Sequence, residues 1–378
     1  MRKTKIVIMA AALAMTAGLW GCGGRGGQET APETAGTEAA VKTGEEPSSQ
    51  PAKEEETETG TPDNQTAGEE HYIFDLDETV ERTAVTYENR YGISLSGDLY
   101  RAKELDETQD YPAIVIGPPY GGVKEQGPGV YANELAKRGF VVLAFDPSFN
   151  GESGGEPRHV SSPDIFTEDF SAGVDYLGTL EYVDRERIGA VGICGSGGFA
   201  LAAAQVDARI QAVATASLFD VSVSGEGLDR EQWAETMAAL GAQRWADVDE
   251  GKPQYLPTYP EEPTEEIPEG LEGIWAEFYS FYGLERGHHP RALGGFTTTS
   301  NLAFYNFQLL NHLDKLSQPV LFMAGENAET RPISEAAYEA VTGQKELWII
   351  PEANHVDLYD DENKIPFDRL AEFFRGSL

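Results

Sequence analysis

Basic residues are scarce in this chain: 28 Lys and Arg stand against 64 Asp and Glu, for a formal net charge of −36 over 378 residues. A nucleic-acid binder needs a cationic face to neutralise phosphates, and this balance excludes one. Cysteine is scarcer still. Two in the whole chain, Cys22 and Cys194, exclude a disulfide scaffold. Of the six His, only His288 and His289 adjoin, and neighbours in sequence do not share a helix face, so no zinc site is expected. Residues 71–378 hold no G-x-G-x-x-G or Walker pattern, so no nucleotide cofactor is implied, and none of any other kind. The apolar run 6–19 is shorter than the ~20 residues of a spanning helix.

What is present begins with a leader. Arg2, Lys3 and Lys5 precede that apolar run, which ends in Leu19-Trp20-Gly21-Cys22. The order of charge, apolar stretch and small residue reads as a secretory signal. Its end resembles the lipobox of bacterial lipoproteins, which implies lipid attachment at Cys22 and an extracytoplasmic protein anchored to the cell membrane. Trp20 stands where a small or β-branched residue is usual, and a plain secretory peptide is the alternative. Residues 23–70 hold twelve acids, three bases and almost no large apolar side chain, so an extended acidic linker is expected.

From residue 71 the pattern changes. β-branched runs at 113–116, 141–145, 187–193, 212–216, 320–324 and 347–351 alternate with helical stretches at 131–138, 166–180, 197–206, 335–342 and 366–375. That alternation predicts an α/β domain over 71–378 with a mostly parallel sheet flanked by helices. Residues 84–88 and 93–99 read as an antiparallel hairpin leading into it. The stretch from about 222 to 313 breaks the rhythm with five prolines between 253 and 268 and many aromatics. An inserted helical lid is expected there rather than a loop. Trp275, Phe278, Tyr279, Phe281 and Tyr282 are read as lid core or pocket wall, and Arg291 as a surface or helix-capping residue.

The strand at 187–193 runs into Cys194-Gly195-Ser196-Gly197-Gly198, where a helix starts. Small residues around a reactive side chain at a strand-to-helix turn make a nucleophile elbow, with the helix N-terminus aimed at developing negative charge. Counting from the strand favours Cys194, flanked two residues away by Gly192 and Ser196. Ser196 is the alternative. A lone thiol inside a Gly-rich elbow is better explained as a reactive group than as filler.

Here the chain resembles the α/β-hydrolase family, and within it the branch similar to dienelactone hydrolases, which carry Cys in the elbow. The resemblance covers about 72–378 and extends to the run Asp146 to Gly155, which looks like the family's D-x-x-G-x-S-G-G loop and is read as structural. It implies an enzyme acting on a small ester-like substrate. His355, just after the last strand, stands where the family places its His and would serve Cys194 as base. The family's acid lies three residues beyond a Gly that here is Gly325, and that place holds Ala328. Glu326 is the chosen acid, with Glu329 and Asp220 as alternatives. One oxyanion donor is expected from the Gly195 N–H. The other should come from Tyr120 or Gly121, because Pro118 and Pro119 have no N–H.

Two functions fit. One is hydrolysis of small esters, thioesters or lactones by Cys194, His355 and Glu326. The other is a surface lipoprotein that binds a small ligand without turnover. A hydrogen bond from His355 to Glu326, Glu329 or Asp220 favours the enzyme, and its absence favours the receptor.

Overall fold

The computed structural model describes residues 71–378 apart from Ser224 and Glu226. Cys22 with its leader and the acidic linker lie outside the described residues. Eight strands form one sheet: β1 (Val80–Glu88), β2 (Ser94–Ala102), β3 (Tyr111–Gly117), β4 (Val141–Phe145), β5 (Val183–Ile193), β6 (Ile210–Ala216), β7 (Val320–Gly325) and β8 (Lys345–Ile350). Their order is β1-β2-β4-β3-β5-β6-β7-β8. β1 pairs with β2 antiparallel over its full length, β2 meets β4 antiparallel, and all later pairs are parallel. The expected hairpin and mostly parallel sheet are therefore present.

The helices are α1 (Gly127–Lys137), α2 (Pro163–Leu177), α3 (Ser196–Val206), α4 (Arg230–Glu250), α5 (Gly273–Tyr282), α6 (Asn301–Phe304), α7 (Arg331–Ala340), α8 (Asp357–Asp360) and α9 (Phe367–Ser377). α1 starts a turn earlier than expected because Pro128 occupies its first turn, where the missing N–H costs nothing. Alternate residues of each central strand feed opposite cores. In β3, Ile114 and Ile116 pack with α1, α8 and α9, while Ala113 and Val115 pack with α2, α3 and α7. Burial on both faces is why these strands read as continuous apolar runs.

The segment between β6 and β7 carries α4, α5 and α6, although β6 and β7 are neighbours with Val213 opposite Val320. α4 has a capping box, Asp229 with Gln232, and no buried residue. α5 packs on the domain through Tyr279, Phe281 and Tyr282, and Phe296, Phe304 and Leu309 join the other core. Trp275, grouped with them in the sequence, is instead 46% exposed.

Candidate active site

β5 and α3 meet at Cys194, whose φ of 54° lies in the left-handed region. A non-glycine residue there costs about 1–2 kcal/mol, so the surroundings must hold it. They do: the Cys194 N–H donates to Ala216 O at 2.8 Å, and its carbonyl accepts from Gly197 and Phe219, both at 3.0 Å. Two glycines are obligatory. A Cβ at Gly192 would fall 2.2 Å from Ser196 O, and one at Gly195 would fall 2.8 Å from Tyr120 Cβ. The elbow and the loop after β3 can approach only because Gly195 has no side chain. Ser196 begins α3 and is buried, with its hydroxyl 2.8 Å from where a Cβ on Gly117 would be. Its backbone is helical, so the elbow residue is Cys194.

The backbone N–H groups of Gly195 and Tyr120 lie beside the Cys194 sulfur and favour its thiolate. Of the two expected second donors, Tyr120 is the one so placed. Gly121, at φ 88°, makes the turn that lies against Phe296. The Tyr359 hydroxyl beside the sulfur also favours the thiolate. Burial pushes the thiol up to about 11, against the pull of these three donors.

His355 sits in the loop between β8 and α8 and is fully buried. Its carbonyl accepts from Ser217 Oγ at 2.8 Å, and its N–H donates to the Glu277 carboxylate of α5. Nε2 lies 3.0 Å from the Tyr359 hydroxyl, and Nδ1 is bonded to Thr330 Oγ1. The rings of Phe278 and Phe219 stand edge-on to the imidazole, at 5.2 and 6.5 Å. Burial alone brings the imidazole down to about 3, so it is neutral at physiological pH.

No expected carboxylate reaches that ring. Glu326 is exposed and its Oε2 accepts from the Glu352 N–H at 3.0 Å. Asp220 accepts from the Ser222 N–H and hydroxyl, and Glu329 is exposed near Gly273. The choice of Glu326 is corrected on this geometry: the loop after β7 turns residue 326 outward and brings Thr330 inward. A Cβ on Gly325 would meet Ala353 O at 2.4 Å, so the loops after β7 and β8 lie against each other and Thr330 comes to His355. Thr330 and Tyr359 were not among the expected site residues. Tyr359 had one signal, its place four residues, or one helical turn, beyond His355.

A second buried polar centre lies further along the loop after β3. Lys124 is 2% exposed, with its ammonium bonded to Glu125, 2.8 Å from Glu152 and 3.8 Å from Asp146. The three carboxylates approach within 4.8 Å of one another, and the ammonium occupies the place a cation would take. Arg291 pairs with Glu125 and, at 3.2 Å, with Glu152, so it is an ion-pair residue and not a helix cap. His289 Nε2 is 3.9 Å from Glu125, while its Nδ1 accepts from the Arg291 N–H. The run Asp146 to Gly155 is structural, as read: Asp146 accepts from the N–H groups of Lys124 and Glu152, both at 2.8 Å.

Residues 112–362 match the alpha/beta hydrolase fold family. The uncharacterized protein PA2218 of Pseudomonas aeruginosa is 48% identical over 310 residues, 80% of this chain and 82% of that protein. Its crystal structure superposes with a TM-score of 0.78, covering 83% of this chain and 99% of that one. The uncharacterized protein YcjY of Escherichia coli is 36% identical across 79% of this chain and 99% of its own length. A more distant relative is the thiohydrolase aneE of Aspergillus aculeatus, 27% identical over 70% of this chain and 83% of that one. By its matched residues, its sheet and these relatives, the chain belongs to the α/β-hydrolase fold family.

Proposed function

We propose that this chain hydrolyses small carboxylic esters, thioesters or lactones with Cys194 as nucleophile, in the manner of the dienelactone-hydrolase branch. One observation carries the reading: a buried free thiol at a left-handed elbow, with the Gly195 and Tyr120 N–H groups beside it and the Tyr359 hydroxyl, 3.0 Å from His355 Nε2, next to it. The sulfur attacks the carbonyl, an S–C bond forms, and the thiol proton passes to His355. The Gly195 and Tyr120 N–H groups hold the oxyanion. Collapse expels the alcohol or thiol, which takes the proton from the imidazolium. Water then attacks the acyl thioester, and the thiol is restored.

The ground state of this site is a neutral thiol beside a neutral imidazole, not a thiolate–imidazolium pair. Thr330 Oγ1 takes the orienting role of a carboxylate at Nδ1, fixing the ring without stabilising its charge. Cys194 is 5% exposed, with Tyr282 of α5 beside it. The thiohydrolase named above agrees with a thioester substrate.

A second reading has its own support. No carboxylate orients His355, which favours a protein that binds a small ligand without turnover. The test is turnover of p-nitrophenyl acetate and butyrate and a short acyl thioester by the purified chain, with Cys194→Ala, Ser196→Ala and His355→Ala variants. Turnover lost in the first and third and kept in the second supports the hydrolase. No turnover on any of the three substrates moves ligand binding ahead.

We also propose that Cys22 carries lipid and tethers the domain to the outer side of the cell membrane. The Cys22→Ala protein should then leave the membrane fraction, and its continued retention there would count against the anchor.

A further inference from the structure

Between the thiol and the imidazole stands a third protic group. Tyr359 is fully buried in α8, its hydroxyl 3.0 Å from His355 Nε2 and beside the Cys194 thiol, where it favours the thiolate. Among the described residues no hydrogen bond joins the sulfur to the imidazole directly, and the phenol borders both. The ring is locked in place by an edge-on contact with Phe281 at 5.0 Å and by packing against the imidazole at 5.5 Å. The groups facing this chain of atoms are the hydroxyls of Tyr259 and Tyr282 from the inserted segment, the N–H groups of Gly195 and Tyr120, and Thr330. The nearest carboxylate, Glu277, is taken by the N–H groups of His355 and Val356.

Resting on the hydrolase reading, we propose that Tyr359 is a catalytic residue that relays the proton from Cys194 to His355. As the S–C bond forms, the thiol proton passes to the Tyr359 oxygen and the original Tyr359 proton passes to Nε2. The phenol is neutral before and after, the thiol has lost one proton, and the imidazole has gained it. Nε2 must start unprotonated, which makes Nδ1–H the donor to Thr330 Oγ1. On collapse the same path runs backwards and delivers the proton to the leaving alcohol or thiol. A tyrosine suits this because its hydroxyl donates and accepts at once. A phenylalanine would fill the same space and break the path.

A phenol that only fills space would leave the thiol's acidity alone, and that separates the two roles. The experiment measures the rate of Cys194 alkylation by iodoacetamide against pH in the parent and in Tyr359→Phe, alongside ester turnover. A donor removed from a thiolate should slow alkylation at pH 8 by about ten- to a hundredfold and move its midpoint to higher pH. Turnover should fall by a similar factor, and adding His355→Ala to Tyr359→Phe should cost far less than the product of the single effects. An alkylation profile unchanged in Tyr359→Phe overturns the relay. If that variant does not fold, 3-fluorotyrosine at position 359 keeps the shape and makes the phenol a stronger donor. The midpoint should then move to lower pH, and no movement overturns the proposal equally. Alkylation needs no substrate, so a shifted profile in a parent without ester turnover would sink the hydrolase reading and leave the proton coupling standing.

Discussion

Two buried polar centres flank the loop after β3, and they solve burial in opposite ways. Around Lys124 ionisable groups dominate: one ammonium and one guanidinium meet Glu125, Asp146 and Glu152. Around Cys194 the groups that meet are a thiol, an imidazole, a threonine and a phenol inside aromatic walls, and the Glu277 carboxylate reaches only the backbone N–H groups of His355 and Val356. Burial works against the ammonium, yet Asp146, Asp98 and Glu125 overcome it and hold the Lys124 proton firmly. His355 has no carboxylate, so burial goes unopposed and the ring stays neutral. Burial therefore does not decide ionisation, and the partners do. Both centres also tie the inserted segment to the sheet, one through Arg291 and His289, the other through Glu277 and Phe278.

The largest expected effect belongs to the ionic centre. Lys124→Met strands three carboxylates around an apolar tip and should cost about 3–5 kcal/mol of stability, read from urea unfolding. A cost under about 1 kcal/mol would show that water, not Lys124, compensates those acids. The neutral centre should show itself in pH dependence. A His of ordinary pKa 6.5 would lose about thirtyfold in its neutral fraction by pH 5, whereas kcat/KM here should stay flat from pH 8 to 5. A fall centred near 6.5 would mean that His355 is solvated.

The same shift has a stability sign. The folded pKa of His355 lies below its unfolded value, so its contribution is complete above about pH 6.5 and is lost as pH falls toward 3. Asp169, pushed up to about 7 by burial, works the other way: its contribution is complete below 3.8 and is lost as pH rises through 7. His355→Asn should therefore narrow its stability gap to the parent between pH 6.5 and 4, and a constant gap in paired urea melts would contradict the neutral ring. Thr330→Val, which removes one neutral hydrogen bond from Nδ1, should lower turnover by about tenfold with about 1 kcal/mol of stability. Smallest is Glu277→Gln, whose amide oxygen still accepts from the His355 N–H, with turnover expected within about threefold of the parent.

How far each centre was legible in the sequence follows from what builds it. The elbow is local: a strand, small residues at 192, 195 and 197 and a helix start are contiguous, and steric need for Gly192 and Gly195 is written in the run itself. The sheet was legible for the same reason, since strands buried on both faces must be apolar throughout. The partner of His355 was not. It depends on how the loop after β7 folds against the loop after β8, and that contact spans 25 residues between Thr330 and His355. Counting from Gly325 pointed to Ala328, which has no carboxylate, and the backbone turns its neighbour Glu326 outward and Thr330 inward. Arg291 was missed likewise, because Glu125 is 166 residues away.

Cys194 carries the proposed chemistry. The direct measurement is peptide mapping by mass spectrometry after rapid acid quench of the protein with p-nitrophenyl butyrate. A butyryl group on the peptide carrying Cys194, released by neutral hydroxylamine and absent from Cys194→Ala, is the predicted result. A butyryl group on Ser196, or undiminished turnover in Cys194→Ala, would contradict the account.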